Sequence, residues 1–336
     1  MGLGCSDGQS PVAVGVEHAA SGGANKLVVY SSRNEHLIQP VFERYTAVSG
    51  VTIDYATDKA GVLIERIKAE GQNTRGDVLL TVDAGTLGFA ANQGLFQPLN
   101  SKRVTQVVPA YARAANDLWV GLSLRARTLV YSTERVEPGE LSTYAALADA
   151  TWRGRLCLRT AKKVYNQSLV AMLISQYGEE QAERIVRGWV ANLAIAPTSN
   201  DTKVMQAIVN GQCDVGIVNS YYYGRLQAEQ PQVPLALFWP NQQAAEGGVH
   251  INVAGIGILK HSKRAAAARA FIEWLVSPEA QALFAGLNQE YPVNSTTPPT
   301  PVVAAWGGFS ASELPLDNAY VLQPAAVKLM DRAGYQ

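Results

Sequence analysis

The chain has 336 residues, 28 Lys plus Arg against 28 Asp plus Glu, and only three cysteines. Domains cluster at roughly 100 to 200 residues, so this length exceeds one ordinary core and points to two lobes. The balanced charge, without a run of Lys or Arg to neutralise a row of phosphates, argues against nucleic acid as a partner. No apolar stretch approaches the roughly 20 residues that span a bilayer.

Met1 to Ser6 reads M-G-L-G-C-S. A Gly-Cys pair followed by polar, Gly- and Ser-containing sequence looks like the end of a lipoprotein signal, which makes Cys5 a candidate lipid-attachment site and residues 6–25 a tether. The alternative is an artefactual leader beside a disordered tail.

Lys26 to Ser31, K-L-V-V-Y-S, has the length and β-branched content of a strand. Leu37, Ile38, Val41, Phe42 and Tyr45 recur at spacings of three and four, which predicts a helix over 35–48 with Gly50 placed to end it. Val51 to Tyr55 reads as a strand, Gly61 to Glu70 as a helix carrying Leu63, Ile64 and Ile67, and Val78 to Val82 as a third strand. Strand, helix, strand, helix, strand implies a parallel sheet covered on both faces. The later chain repeats this logic, with strands at 155–158, 215–218 and 254–259 and helices at 168–176 and 265–276. Pro278 restarts a helix through Phe284, and the Pro/Thr-rich residues 293–301 read as a linker.

Cys157 and Cys213 each sit in or beside a strand-like segment, L-C-L-R and C-D-V-G-I-V. One bridge is expected if the protein reaches an oxidising compartment, and two separate buried thiols are the alternative. No G-x-S-x-G elbow, Walker A loop, H-E-x-x-H or G-x-G-x-x-G fingerprint occurs, so an enzyme is not expected. The four histidines, His18, His36, His250 and His261, lack a second His or Cys at metal-ligand spacing and read as surface or structural residues.

Tyrosine carries the informative chemistry. S-Y-Y-Y-G at Ser220 to Gly224 follows the buried-strand pattern V-G-I-V-N, which places Tyr221, Tyr222 and Tyr223 at a strand's carboxyl end, where open α/β sheets hold ligands. A turn there can bring adjacent phenols toward one point. Phenolate is a hard anionic oxygen donor suited to a small, highly charged cation such as Fe³⁺. A free phenol ionises near 10, so such binding must release protons. An aromatic cluster packed at a lobe surface is the competing explanation for Y-Y-Y alone.

Further motifs are Y-S-S-R at Tyr30 to Arg33, D-A-G at Asp83 to Gly85, R-A-R-x-x-V-Y at Arg125 to Tyr131 and V-Y-N-Q-S-L-V-A at Val164 to Ala171. F-I-E-W-L-V-S-P-E-A-Q at Phe271 to Gln281 and E-Y-P-V-N at Glu290 to Asn294 complete the set. With these motifs the chain, from about residue 26 to its end, resembles the periplasmic ferric-binding proteins of ATP-driven iron importers, within the wider class of solute-binding proteins. The resemblance implies an α/β, two-lobed periplasmic-binding-protein-like fold, with two parallel-sheet-rich domains, crossing strands near 120–130 and 250–258, and a ligand cleft between the lobes. The first lobe would comprise 26–125 plus 254–300, the second 126–253 plus 301–336, after a 1–25 signal remnant or tether.

The resemblance also implies Tyr165, Tyr221 and Tyr222 as ferric ligands, all from the second lobe. Tyr223 is left to packing, and Tyr30 and Tyr131 to the core or the surroundings of the site. Family members often add a first-lobe His, Tyr or Glu, but Asn34 and Glu35 follow Arg33 here and Gly61-Val62 stands where the acid would be. A bidentate anion such as carbonate or citrate, or water, could complete the coordination. Arg33 and Arg125 are the candidates to hold it, because guanidinium matches a carboxylate-like edge with paired donors; surface or interlobe salt bridging is the alternative for both. The implied partners are an inner-membrane permease and ATPase. The implied state is a monomer in the periplasm, or lipid-anchored on the outer face of the membrane. A same-fold receptor for a polyamine, thiamine or an organic anion is the first rival, and a metal-dependent enzyme the second, although no acid or base poised beside a metal is evident.

Overall fold

The computed structural model describes residues 25–316 and 318–336. Cys5, His18 and all but the last residue of the expected tether lie outside them. The first lobe opens with β1 (Lys26–Ser31), α1 (Gln39–Ser49), β2 (Thr52–Thr57), α2 (Ala60–Glu70), β3 (Val78–Thr81), α3 (Ala84–Asn92), β4 (Phe96–Gln97) and α4 (Lys102–Val107). The 13-residue β5 (Val120–Ser132) leads into β6 (Leu156–Cys157), α5 (Val164–Tyr177), α6 (Glu179–Asn192), α7 (Asp201–Val209), β7 (Val215–Asn219), α8 (Ser220–Glu229) and β8 (Leu235–Phe238). β9 (Ile251–Leu259), α9 (Ala265–Leu275), α10 (Pro278–Gly286), β10 (Tyr291–Pro292), α11 (Pro301–Ala304) and α12 (Asn318–Arg332) follow.

The strand order is β2-β1-β3-β9-β5-β7-β6. β1 pairs in parallel with β2 and β3, as the alternation of strands and helices requires. β9 and β5 then run antiparallel, from Val120 opposite Ile256 to Ala126 opposite Ile251, and these are the expected crossing strands. Past Ala126, β5 leaves β9 and pairs with β7 and β8 in the second lobe.

Two large apolar cores lie on either side of this crossing. One gathers Leu27, Val29, Leu79, Ile256 and Phe271; the other gathers Leu156, Leu169, Leu173, Trp189 and Leu329. A third, smaller cluster of Val204, Ile208, Val218 and Tyr223 sits under β7 and includes Cys157 and Cys213. Those cysteines form a disulfide with Cα atoms 5.9 Å apart, tying β6 to Cys213, two positions before the start of β7.

Three local expectations are corrected. The first helix starts at Gln39 after a short 3₁₀ turn at Glu35–Leu37, because Pro40, which lacks an N–H, fits the first helical turn without loss. The helix expected from Ser168 starts at Val164, since its polar first turn carries no apolar period. Residues 293–301 begin as packed structure: Val293 and Asn294 are buried and donate their backbone N–H groups to the Oε1 of buried Gln281 at 2.7 and 3.2 Å. Pro/Thr-rich composition marks a linker only where no buried side chain takes up the backbone donors.

The disulfide closes a loop across 56 positions of sequence. Loop-closure entropy then predicts that the Cys157→Ala/Cys213→Ala double variant loses about 2–4 kcal/mol of stability. Urea unfolding with and without reductant checks this: reductant should shift the wild-type midpoint and leave that of the double variant in place.

Candidate functional site

A cavity of about 140 Å³ opens between the lobes, and Tyr165, Tyr221, Tyr222, Arg33 and Arg125 all line it. A larger, mainly apolar groove of about 580 Å³ between α2, α3 and α12 is walled by residues such as Ile64, Phe89 and Val327. Among the described residues no cluster of His, Cys, Asp or Glu could hold a metal, so the phenols are the candidate donors.

Tyr221 and Tyr222 occupy the first turn of α8, directly after β7. The abrupt change from strand to helix keeps the neighbouring rings from pointing to opposite faces; they stack with centroids 4.5 Å apart and planes 29° from parallel. Tyr165 reaches them from the first turn of α5, and its hydroxyl lies 3.5 Å from that of Tyr221. Burial first, then the neighbouring phenols of Tyr165 and Tyr222, push the Tyr221 phenol well above its ordinary value of 10.0. In the metal-free protein it is therefore protonated at neutral pH. Tyr223 points away and donates to the Leu235 carbonyl at 3.0 Å, which makes it a packing residue. Tyr30 and Tyr131 are likewise buried; Tyr30 donates to Glu70 at 2.9 Å.

The walls of the cavity are cationic. Side chains two apart on a strand share a face, so the R-A-R of β5 aims Ser123, Arg125 and Arg127 the same way. Ser123 hydrogen-bonds Glu290, Arg125 lies 5.7 Å from the Tyr165 ring, and Arg127 donates at 2.6 Å to both Asp201 and Asn166. Arg33 pairs through Nη1 with Glu290 at 3.2 Å, and both side chains are 2% exposed. Its Nε and Nη2 have no partner, and neither does the Nε of Arg125, which makes no ion pair among the described residues. Both guanidiniums thus keep unused donors at the cavity. Glu35 is not part of it; exposed at the start of the 3₁₀ turn, it accepts from the Tyr55 hydroxyl at 2.7 Å.

Two further arginines escaped the sequence reading. Arg225 lies 5.2 and 5.7 Å from the Tyr221 and Tyr222 rings, as its spacing of four and three on α8 dictates. Arg159, in the quoted L-C-L-R, stands 5.1 Å from the Tyr165 ring and is influenced by the Tyr222 phenol. The helical spacing of Arg225 is visible once α8 is recognised; nothing in sequence places Arg159. Against Arg33, Arg125, Arg127, Arg159 and Arg225, the carboxylates in contact are Glu290 and Asp201, so the site carries excess positive charge.

Burial alone would push the Glu290 carboxyl up, but Arg33 and Arg125, with hydrogen bonds from Ser123 and Asn288, outweigh it and hold it below the ordinary value. Its stabilising contribution is complete above about 4.5 and is lost as pH falls through the depressed folded-state value. Glu290→Gln leaves a buried guanidinium uncompensated and should cost about 3–5 kcal/mol in urea unfolding at pH 7. His250 is the reverse case: burial, then Arg127 and Arg125, lower it to about 3. It stays neutral when folded but takes up a proton when unfolded below about 6.5, so it removes about 1.4 kcal/mol of stability per pH unit between about 6.5 and about 3. His250→Gln should flatten that part of the stability–pH curve.

Residues 30–282 match the family model for bacterial extracellular solute-binding proteins. The chain is 41% identical over 331 residues to iron uptake protein A2 of Synechocystis, covering 97% of this chain and 94% of the relative. Its structure superposes with a TM-score of 0.88 on the Trichodesmium FutA protein in complex with iron and citrate ligands, at 38% identity over 93% of this chain and 100% of the other. A ferric binding protein from Campylobacter jejuni gives 0.84 at 29% identity over 92% and 100%. With the two lobes, the crossing strands and the interlobe cavity, these matches establish that the chain belongs to the bacterial extracellular solute-binding protein family.

Proposed function

We propose that this chain is the extracytoplasmic receptor of an ATP-driven ferric importer and that Tyr165, Tyr221 and Tyr222 hold Fe³⁺ as phenolates. The observation that carries this is the meeting of three phenols from two helix starts in one small interlobe cavity rimmed by guanidiniums. The names of the relatives, iron uptake protein and ferric binding protein, support it.

The chemistry follows from the donors. A hard trivalent cation displaces the phenolic protons by its own charge, and each phenolate offsets one unit of that charge. The first lobe contributes Ser32, Arg33, Asn34, Leu37, Val82, Asn288 and Glu290 to the cavity, and Glu290 is already committed to Arg33. Among the described residues it therefore supplies no free anionic oxygen to the cavity. We assign the remaining coordination positions to an exogenous oxyanion, such as carbonate or citrate, held on the unused donors of Arg33 and Arg125. The iron and citrate of the Trichodesmium complex support an anion of this kind. The receptor is a monomer of lobes 26–125 plus 254–300 and 126–253 plus 301–336. It works in the periplasm or anchored through Cys5 on the outer face of the membrane, and it delivers its cargo to an inner-membrane permease and ATPase.

Adding ferric salt with bicarbonate to metal-free protein should produce a visible tyrosinate-to-iron absorption band, whereas a colourless mixture free of bound iron would remove the assignment. Tyr165→Phe, Tyr221→Phe and Tyr222→Phe should each weaken ferric binding by about a hundredfold or more, beyond the effect of losing an outer partner. Apparent affinity should rise with pH by up to about tenfold per unit for each phenol deprotonated. An aromatic cage for an organic solute would instead tolerate all three replacements.

A further inference from the structure

The D-A-G motif at Asp83 to Gly85 lies outside the phenol cavity, yet it forms a polar contact that crosses the lobes. Asp83 is 1% exposed and caps α3, its Oδ2 accepting from the Thr86 backbone N–H at 2.9 Å. Its Oδ1 accepts from Asn252 Nδ2 at 2.7 Å and from Ser168 Oγ at 3.3 Å. Among the described residues this carboxylate has no ion pair, so the α3 start and these two side chains are what hold its charge. Asn252 is fully used, since its Oδ1 also accepts from the Ala84 and Val253 backbone N–H groups.

These three residues belong to three different parts of the machine. Asp83 and α3 are built into the first core, Asn252 sits on crossing strand β9 directly opposite Arg125, and Ser168 is on α5 of the second lobe. Ser168 lies one turn after Tyr165 and on the same side of that helix. The seam continues along α12, which packs on α5 and also on α3. A Cβ on Gly88 would come 2.6 Å from the Tyr320 ring, and one on Gly85 would come 3.0 Å from Gln323 Oε1. Gln323 in turn donates to Gln167 at 2.8 Å. Any movement that carries α5 away from the start of α3 breaks the Ser168 bond to Asp83.

We infer that Asp83, Asn252 and Ser168 form an interlobe latch, flanked by the Gly85/Gly88 face of α3 against α12. This latch holds the closed state and sets how long the cargo is retained, without touching the metal. Ser168, Asn252 and Asp83 are thus positioning residues. The inference rests on the ferric-receptor assignment for its cargo, but its effect on lobe closure can be read without iron.

The test compares wild type, Ser168→Ala, Ser168→Thr and Gly88→Ala as full-length protein. Iron-loaded samples are challenged with excess EDTA to follow release, and metal-free samples are measured by small-angle X-ray scattering. Ser168→Ala should keep the wild-type absorption maximum, because the phenolates are intact. It should release iron roughly three to ten times faster, the range expected for losing a hydrogen bond to a charged group, and enlarge the metal-free radius of gyration. Ser168→Thr, which keeps the hydroxyl, should restore slow release, while Gly88→Ala should open the seam independently by wedging Tyr320 outward. Unchanged release and unchanged scattering in both Ser168→Ala and Gly88→Ala would overturn the latch. Failure of wild type to take up iron would overturn the cargo assignment alone, leaving the scattering comparison to decide the latch.

Discussion

The antiparallel ladder between β5 and β9 is the constraint on which the other features depend. Each strand begins in one lobe and ends in the other, so their shared register fixes which side chains meet at the interlobe cavity. Arg125 on β5 faces Asn252 on β9 across that ladder. One reaches toward the Tyr165 ring and the other toward Asp83. A slip of one residue would turn both away, because side chains alternate between the faces of a strand.

Charge is the second organising quantity. Buried guanidiniums are costly unless something answers them, and here the protein's own carboxylates answer only some. Glu290 and Asp201 set the positions of Arg33, Arg127 and Arg159, while Arg125 and Arg225 line the cavity with no ion pair among the described residues. This surplus of positive charge is what the proposed oxyanion would answer. The same surplus explains why a neutral His250 is tolerated in the crossing region, where a protonated one would add another unpaired positive charge.

Much of this was legible in the sequence. Alternating apolar strands and helices in the first hundred residues dictate the parallel β2-β1-β3 arrangement, because a parallel pair needs a crossover helix. Tyr221 and Tyr222 at the end of a buried strand marked a site by position alone. What stayed hidden follows from the range of the interactions involved. Glu290 lies 257 positions from Arg33 and Asp83 lies 169 from Asn252, separations that no local pattern encodes. Pro/Thr-rich residues after Tyr291 read as a linker because Gln281, which organises their start, is silent in composition.

By itself, then, the sequence determined the strand and helix alternation and the residue type of the candidate donors, because these rest on hydrophobic periodicity and on the chemistry of single side chains, while the crossing segments were implied by the family resemblance. Only the tertiary structure decided that the phenols converge, that Arg33 is half-committed to Glu290, that Cys157 and Cys213 are bridged, and that Asp83 reaches Ser168. Each of those outcomes depends on distances between segments remote in the chain, and such distances are set when the two cores pack around the crossing strands.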